Sequence, residues 1–246
     1  MQITNLPHWA YKRAMPSFSP VTFRSRLTPT LQASSCGPSS VANIVAYLSK
    51  NGCSRLIPPA GKYEEEYSYL RLIETLTKYM ETRKSGTRAI NLIYGLEKYV
   101  RDRGYSISME WTGEHYTGKY KQRSTPDLDW IMSKTLGPSN VILWLTFYKY
   151  NPRTGSLKNN SSHSVAVAGF NRAYSELFIH DSASDKRKKP ICTEAYKFTE
   201  GDFYPDEKKR LSTYIRPSEL LLSHPYSSIE KLAIIEAALA FEVRPK

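Results

Sequence analysis

The chain has 246 residues, 35 Lys and Arg against 23 Asp and Glu for a net charge of +12, and 40% hydrophobic residues. That length and composition support a large buried core and exclude a disordered or collagen-like chain, and no apolar run is long enough to cross a bilayer. Cys36, Cys53 and Cys192 are too few and too scattered for a disulfide framework or a zinc site, so reduced thiols and no metal or other cofactor are expected.

The charge is unevenly placed. No Asp or Glu precedes Glu64, whereas Lys12, Arg13, Arg24, Arg26, Lys50, Arg55 and Lys62 all do, so the first 63 residues carry +7 of the +12. Such a segment can attract acidic substrates, bind an anionic surface, act as a targeting arm, or simply keep a surface solvated. Nucleic acid is not expected as a partner, because no zinc-finger pattern, RNP-like run or basic helix with interleaved aromatics occurs. Nor does a charged n-region followed by an apolar stretch open the chain. The expected location is therefore the cytoplasm, or outside the cell by a route other than a Sec signal.

In chain order, residues 1–27 form a basic, Pro- and aromatic-containing arm, expected to be irregular. Next comes Gln32-Ala33-Ser34-Ser35-Cys36-Gly37-Pro38, running into Val41, Ile44, Val45 and Leu48 at i, i+3, i+4 and i+7. This spacing predicts a helix that starts at Cys36, with serines able to cap it, Pro38 in its first turn and Gly52 beyond its end. A thiol at that terminus faces unpaired N–H groups and the positive end of the helix dipole, both of which favour thiolate. Gln32, four residues upstream, has an amide that could join the Cys36 N–H in holding an oxyanion. A small buried Cys is the plainer alternative.

Helical periodicity then predicts helices over about 63–83 and 87–103, the second closed by Gly104. Alternation from Tyr105 to Thr112 predicts a half-buried strand, 114–124 a polar loop, and Pro126–Leu136 a short helix capped by Thr125. The run Val141–Tyr150 is apolar enough for a central strand, and 151–162 reads as a loop. His163, Val165 and Val167 share one face of the next strand. A hairpin centred near Ala173 would set Val165 opposite Asp181 and put the Asp181 carboxylate within reach of the His163 imidazole, leaving His180 on the other face. Strands over 192–198 and 210–215 and a helix over Ser227–Phe241, with Ile229, Leu232, Ile235 and Leu239 in register, complete the reading. The run Lys186–Lys189 is read as a solvated loop that could rim a cleft, and His8, His115 and His224 as surface residues.

Gln32, Cys36-Gly37-Pro38, His163 with Val165, Val167, Gly169 and Phe170, and then Ile179-His180-Asp181 resemble the papain-like cysteine peptidases, most closely the bacteriocin-leader (double-glycine) peptidases and the bacterial peptidase C39-like proteins. The resemblance covers roughly residues 28–181. It implies an α+β papain-like fold, with a helical lobe of about 28–136 packed against an antiparallel, β-rich lobe of about 137–246. It also implies a cysteine peptidase acting on a peptide or protein, with Cys36 as nucleophile, His163 as general base and then acid, Asp181 orienting His163, and Gln32 as oxyanion donor. Two other readings stay open: acyl transfer, as in phytochelatin synthase-like relatives, and an idle fold that serves as a basic binding module. The basic N-terminal part and the 186–189 run together suggest an acidic substrate.

Overall fold

A computed structural model describes residues 9–12, 15, 26–57, 65–113, 121–122, 126–151, 156–182, 191–197, 220–222, 226 and 231–246. The helices are α1 (Pro29–Ala33), α2 (Cys36–Lys50), α3 (Glu65–Tyr79), α4 (Ala89–Asp102) and α5 (Leu128–Leu136). The strands are β1 (Trp9–Tyr11), β2 (Tyr105–Gly113), β3 (Lys121–Gln122), β4 (Asn140–Asn151), β5 (Ser156–Asn171), β6 (Glu176–His180), β7 (Ile191–Lys197), β8 (Leu220–Leu222) and β9 (Lys231–Pro245). The class is α+β.

Among the described residues, all nine strands belong to one sheet, antiparallel except where β3 lies beside β2. Because β4 pairs with both β5 and β9, the path β5-β6-β7-β8-β9 returns on itself and closes six strands into a barrel. A barrel this small is filled by its own side chains. Val141, Leu143, Leu145, Val165, Val167, Leu177, Ile179, Leu220, Leu222, Ile235 and Ala238 form that interior, with Ile131 and Met132 of α5 packed into it.

The alternate residues of the same strands face the helices. Ile142, Trp144, Ala166, Ala168, Ala237, Leu239 and Phe241 join Val41, Ile44, Val45, Ile73, Leu76, Leu92, Leu96 and Val100 in a second core. In α2, the residues from Gly37 to Ala46 are all buried, so this helix is the axis of that layer and not a surface element. Burying each Val, Ile or Leu there contributes roughly 1.5–3 kcal/mol, before the cost of ordering the chain.

Several expectations are revised. From Lys231 onward the predicted helix Ser227–Phe241 is instead strand β9, hydrogen-bonded to β4 and β8 through its first half and to β4 and β2 beyond it; residues 227–230 lie outside the described ones. Its run from Leu232 to Phe241 is buried except at Glu236, the position of a bulge against β4. Helical spacing is not diagnostic in so continuous an apolar run, and tertiary pairing overrides the helix preference of its alanines. The alanines serve the sheet: Ala237 lies opposite Trp144, which packs edge-on against Trp111 at 4.9 Å. Gly113, at φ +133°, also passes Ala237 so closely that a Cβ would sit 2.5 Å from the alanine's own.

The loop expected at 151–162 is mostly strand, since β5 begins at Ser156 and pairs with β4 from there. Within 114–124, residues 121–122 form β3. The N-terminal arm is also partly structured: β1 pairs with β5, and Lys12 donates from Nζ to the Ser139 carbonyl at 2.6 Å and to Asn140 Oδ1 at 3.1 Å. The Thr125 cap, the 186–189 run, the 210–215 strand, His8, His115 and His224 lie outside the described residues.

Candidate active site

Cys36 is the first residue of α2, and a short helix sets up its approach. Pro29 opens α1, with the Thr28 hydroxyl accepting from the Leu31 N–H, and α1 ends three residues before Cys36. Ser35 occupies the cap position of α2, but its hydroxyl donates to the Leu31 carbonyl, so the serine cap expected at this helix start is not made. The first N–H groups of α2 are thus not taken up by a side chain of that serine.

A buried side-chain hydrogen bond ties the start of α2 to the barrel. Ser40 Oγ donates to the Ser164 carbonyl at 2.8 Å, in a fully buried contact. Ser164 follows His163 in β5, so this bond holds the helix start beside the imidazole. The Cys36 thiol is half-buried and hydrogen-bonds with the His163 side chain and with the backbone N–H groups of Ser164 and Gly37.

The His163–Asp181 contact follows from the hairpin. In β5 and β6, Ala166 pairs with His180 and Val167 with Ile179, the register expected from the sequence, followed by a bulge between Val167 and Gly169. Continued by one residue, that register sets Val165 opposite Asp181, two positions from His163 on the same face. His163 Nε2 lies 2.6 Å from Asp181 Oδ1. With Nε2 engaged there, Nδ1 is the ring nitrogen left to meet the thiol.

The electrostatics follow from these contacts. Burial alone pushes the Cys36 thiol up, but the hydrogen bond and charge of His163, with the two N–H groups, overcome it and leave the thiol below its ordinary 9.0. Burial alone pushes His163 down; the hydrogen bonds to Asp181 and Cys36 and their charges reverse this and raise it to about 10. An acid lowered beside a base raised is a thiolate–imidazolium pair. Cys53, buried without such partners, is pushed up instead.

Three of the four residues expected at the site are therefore joined in one chain of hydrogen bonds. Gln32 lies on α1, and its Nε2 donates to the Leu27 carbonyl at 2.9 Å. The sequence reading missed Tyr226. This buried tyrosine donates its hydroxyl to Asp181 Oδ2 at 3.0 Å, opposite the oxygen that meets His163. Its ring stacks on Phe147 at 6.5 Å and 22°, and Phe147 lies 6.4 Å from the His163 ring. No local periodicity marks a residue whose partner is 45 positions away. The assembly can hold a nucleophilic sulfur, a proton donor and an orienting carboxylate in line.

Among the described residues, no group of three His, Cys, Asp or Glu side chains converges to hold a metal ion, and no helix is long and apolar enough to cross a membrane. No family model matches the chain, and no curated protein matches it significantly.

Proposed function

We propose that the protein is a papain-like cysteine peptidase that hydrolyses a peptide or isopeptide bond through Cys36, His163 and Asp181. The observation that carries the reading is the continuous relay from the Cys36 thiol through His163 to Asp181, with the Asp181 contact at 2.6 Å. The Cys36 thiolate attacks the carbonyl carbon and forms a C–S bond. The oxyanion that develops faces the N–H groups at the start of α2, with Gln32 as the second candidate donor. As the C–N bond breaks, His163 gives its proton to the leaving amine; it then takes one from the water that cleaves the thioester and regenerates the thiol. Asp181 keeps the imidazole in the working orientation and offsets its positive charge.

Cys36 reactivity tests this directly. At mildly acidic pH, Cys36 should alkylate with iodoacetamide at least tenfold faster than Cys53 or Cys192, and His163→Ala should abolish the difference. Equal labelling of all three cysteines, read by mass spectrometry, would end the reading. Exposing a proteome to the wild-type protein and to Cys36→Ala, and comparing the new N-termini, then gives the cleaved bond. Cys36→Ala should melt near the wild-type temperature, since it removes one small side chain at a helix start.

A further inference from the structure

The helical wall beside Cys36 ends in a turn that the peptidase reading does not use. Residues Arg83–Gly86 close on themselves: the Arg83 N–H donates to the Gly86 carbonyl at 3.1 Å, and the Gly86 N–H to the Arg83 carbonyl at 3.0 Å. Gly86 takes φ +100°, which the turn requires and a side chain would resist. The Thr82 and Thr87 hydroxyls, 2.7 Å apart, clasp its base.

Two contacts fasten this turn to the nucleophile's helix. Ser34 Oγ, two residues before Cys36, donates to the Lys84 carbonyl at 2.7 Å. Gly37, the residue after Cys36, lies so close to Thr87 that a Cβ built on it would be 3.3 Å from the threonine Cβ. Chain geometry then sets bounds: the Cα of Arg88 lies within about 10 Å of the Cα of Gly37, and that of Lys84 within about 15 Å of Cys36.

The turn carries charge of one sign. Arg83, Lys84 and Arg88 are all exposed, and among the described residues no ion pair engages any of them. From Thr82 to Leu96 the chain has no acidic residue, and the neighbouring Glu81 accepts from Asn91 Nδ2 at 3.4 Å. The turn's backbone is held by hydrogen bonds while its three cations stand in solvent.

We infer that the Arg83–Arg88 turn is a substrate-recognition element of the Cys36 site, selecting peptides with acidic side chains within about five residues of the cleaved bond, the reach set by roughly 3.3–3.6 Å per extended residue. This rests on the peptidase reading and specifies its substrate class. The contacts at Ser34 and Gly37 place the turn, and its three cations outnumber the one acid beside it in sequence, Glu81, so net positive charge is left for a ligand. For a charge 10–15 Å from the thiol in water, each cation raises the local concentration of a monoanion roughly 1.6- to 2-fold, so three together give about four- to eightfold at low salt.

The test compares wild type with Arg83→Gln/Lys84→Gln/Arg88→Gln, using iodoacetate and iodoacetamide as matched anionic and neutral probes of Cys36. In about 20 mM salt, the iodoacetate-to-iodoacetamide rate ratio should fall about four- to eightfold in the triple variant. At 1 M salt, where the Debye length is about 3 Å, wild type and variant should converge. A defined pool of acidic and neutral peptides should show the same shift in the products cleaved. If the triple variant does not fold, the three single variants replace it, each expected to lower the ratio about 1.6- to 2-fold. An unchanged ratio in folded protein overturns the inference, whereas slow wild-type labelling of Cys36 by iodoacetamide itself overturns the peptidase reading beneath it.

Discussion

His163 and His180 stand near each other on the same hairpin, on opposite faces of the barrel wall, and meet opposite fates. His163 is raised to about 10, because burial, which lowers it, is outweighed by the Asp181 and Cys36 contacts. His180 is lowered to about 4 by burial alone, and neither ring nitrogen has a hydrogen-bond partner among the described residues. Both are withdrawn from water, so burial does not separate them; the presence of an acid and a thiol on one face does. The alternation of a strand is enough to make one imidazole a charged partner and its neighbour a neutral filler.

The largest test of that contrast removes the charge on the His163 side. Asp181→Asn preserves the shape of the side chain but favours the wrong imidazole tautomer, and hydrolysis should fall by about 10²–10⁴-fold. The variant should also move the pH profile. In the wild type, the ion pair holds between the depressed Cys36 value and about pH 10, above which His163 has no proton for the leaving amine. Without the carboxylate, burial acts on His163 with less opposition, so the alkaline limb should shift downward. As a stability contribution, a pKa raised from 6.5 to about 10 favours the folded state fully below pH 6.5 and is lost as pH rises through 10. Titrating hydrolysis and melting temperature against pH in both proteins checks both signs; an unshifted alkaline limb would remove Asp181 from its assigned role.

A smaller effect is expected one step further out. Tyr226→Phe keeps the ring on Phe147 and deletes only the donor to Asp181 Oδ2. If that hydroxyl aims the carboxylate, its loss lets Asp181 turn from His163, lowers hydrolysis about tenfold, and brings the alkaline limb down. A hydrogen bond to a charged group also contributes about 1.5–3 kcal/mol, so the melting temperature should fall as well. The direction of the pH shift discriminates between roles. An upward shift with full activity would mean that Tyr226 only tempers the charge on Asp181.

How much of this was legible in the sequence depends on whether the signal was local. The α2 start could be read because Gly37-Pro38 and the 3.6-residue apolar spacing act within two turns. The pairing of His163 with Asp181 could be read because a hairpin maps sequence distance onto register, and the bulge beyond Val167 leaves that register intact toward Asp181. The β9 strand could not: its apolar residues fit helical spacing, and the reason for a small residue at Ala237 lies in Trp144, more than 90 residues earlier. The closure of the barrel through β4 and β9 was hidden with it. Tyr226 and the Arg83–Arg88 turn were hidden for a related cause, since each matters only through a partner brought to it by folding. Gln32 was singled out by its spacing from Cys36, while the α1 helix that carries it was not anticipated.

The smallest effect on activity, and the clearest on stability, belongs to the other histidine. His180 is 1% exposed, pairs with Ala166 across the hairpin, and lies on the opposite face from Asp181. A base whose folded pKa is lowered from 6.5 to about 4 binds its proton less readily when folded than when unfolded, so its contribution to stability is intact above pH 6.5 and is lost as pH falls toward 4. A shift of that size corresponds to about 3 kcal/mol at most. His180→Leu removes two buried nitrogens that lack partners among the described residues and replaces them with an apolar group of similar bulk, a change that is neutral or stabilising when nothing is left unpaired. The variant should therefore hydrolyse at the wild-type rate at pH 7 and melt at or slightly above the wild-type temperature there. Its advantage should widen steadily from pH 6.5 to pH 4. If instead His180→Leu lost activity while Cys36 still alkylated rapidly, the neutral imidazole would have a part in the site, and the division of the hairpin into a reactive and a structural face would have to be redrawn.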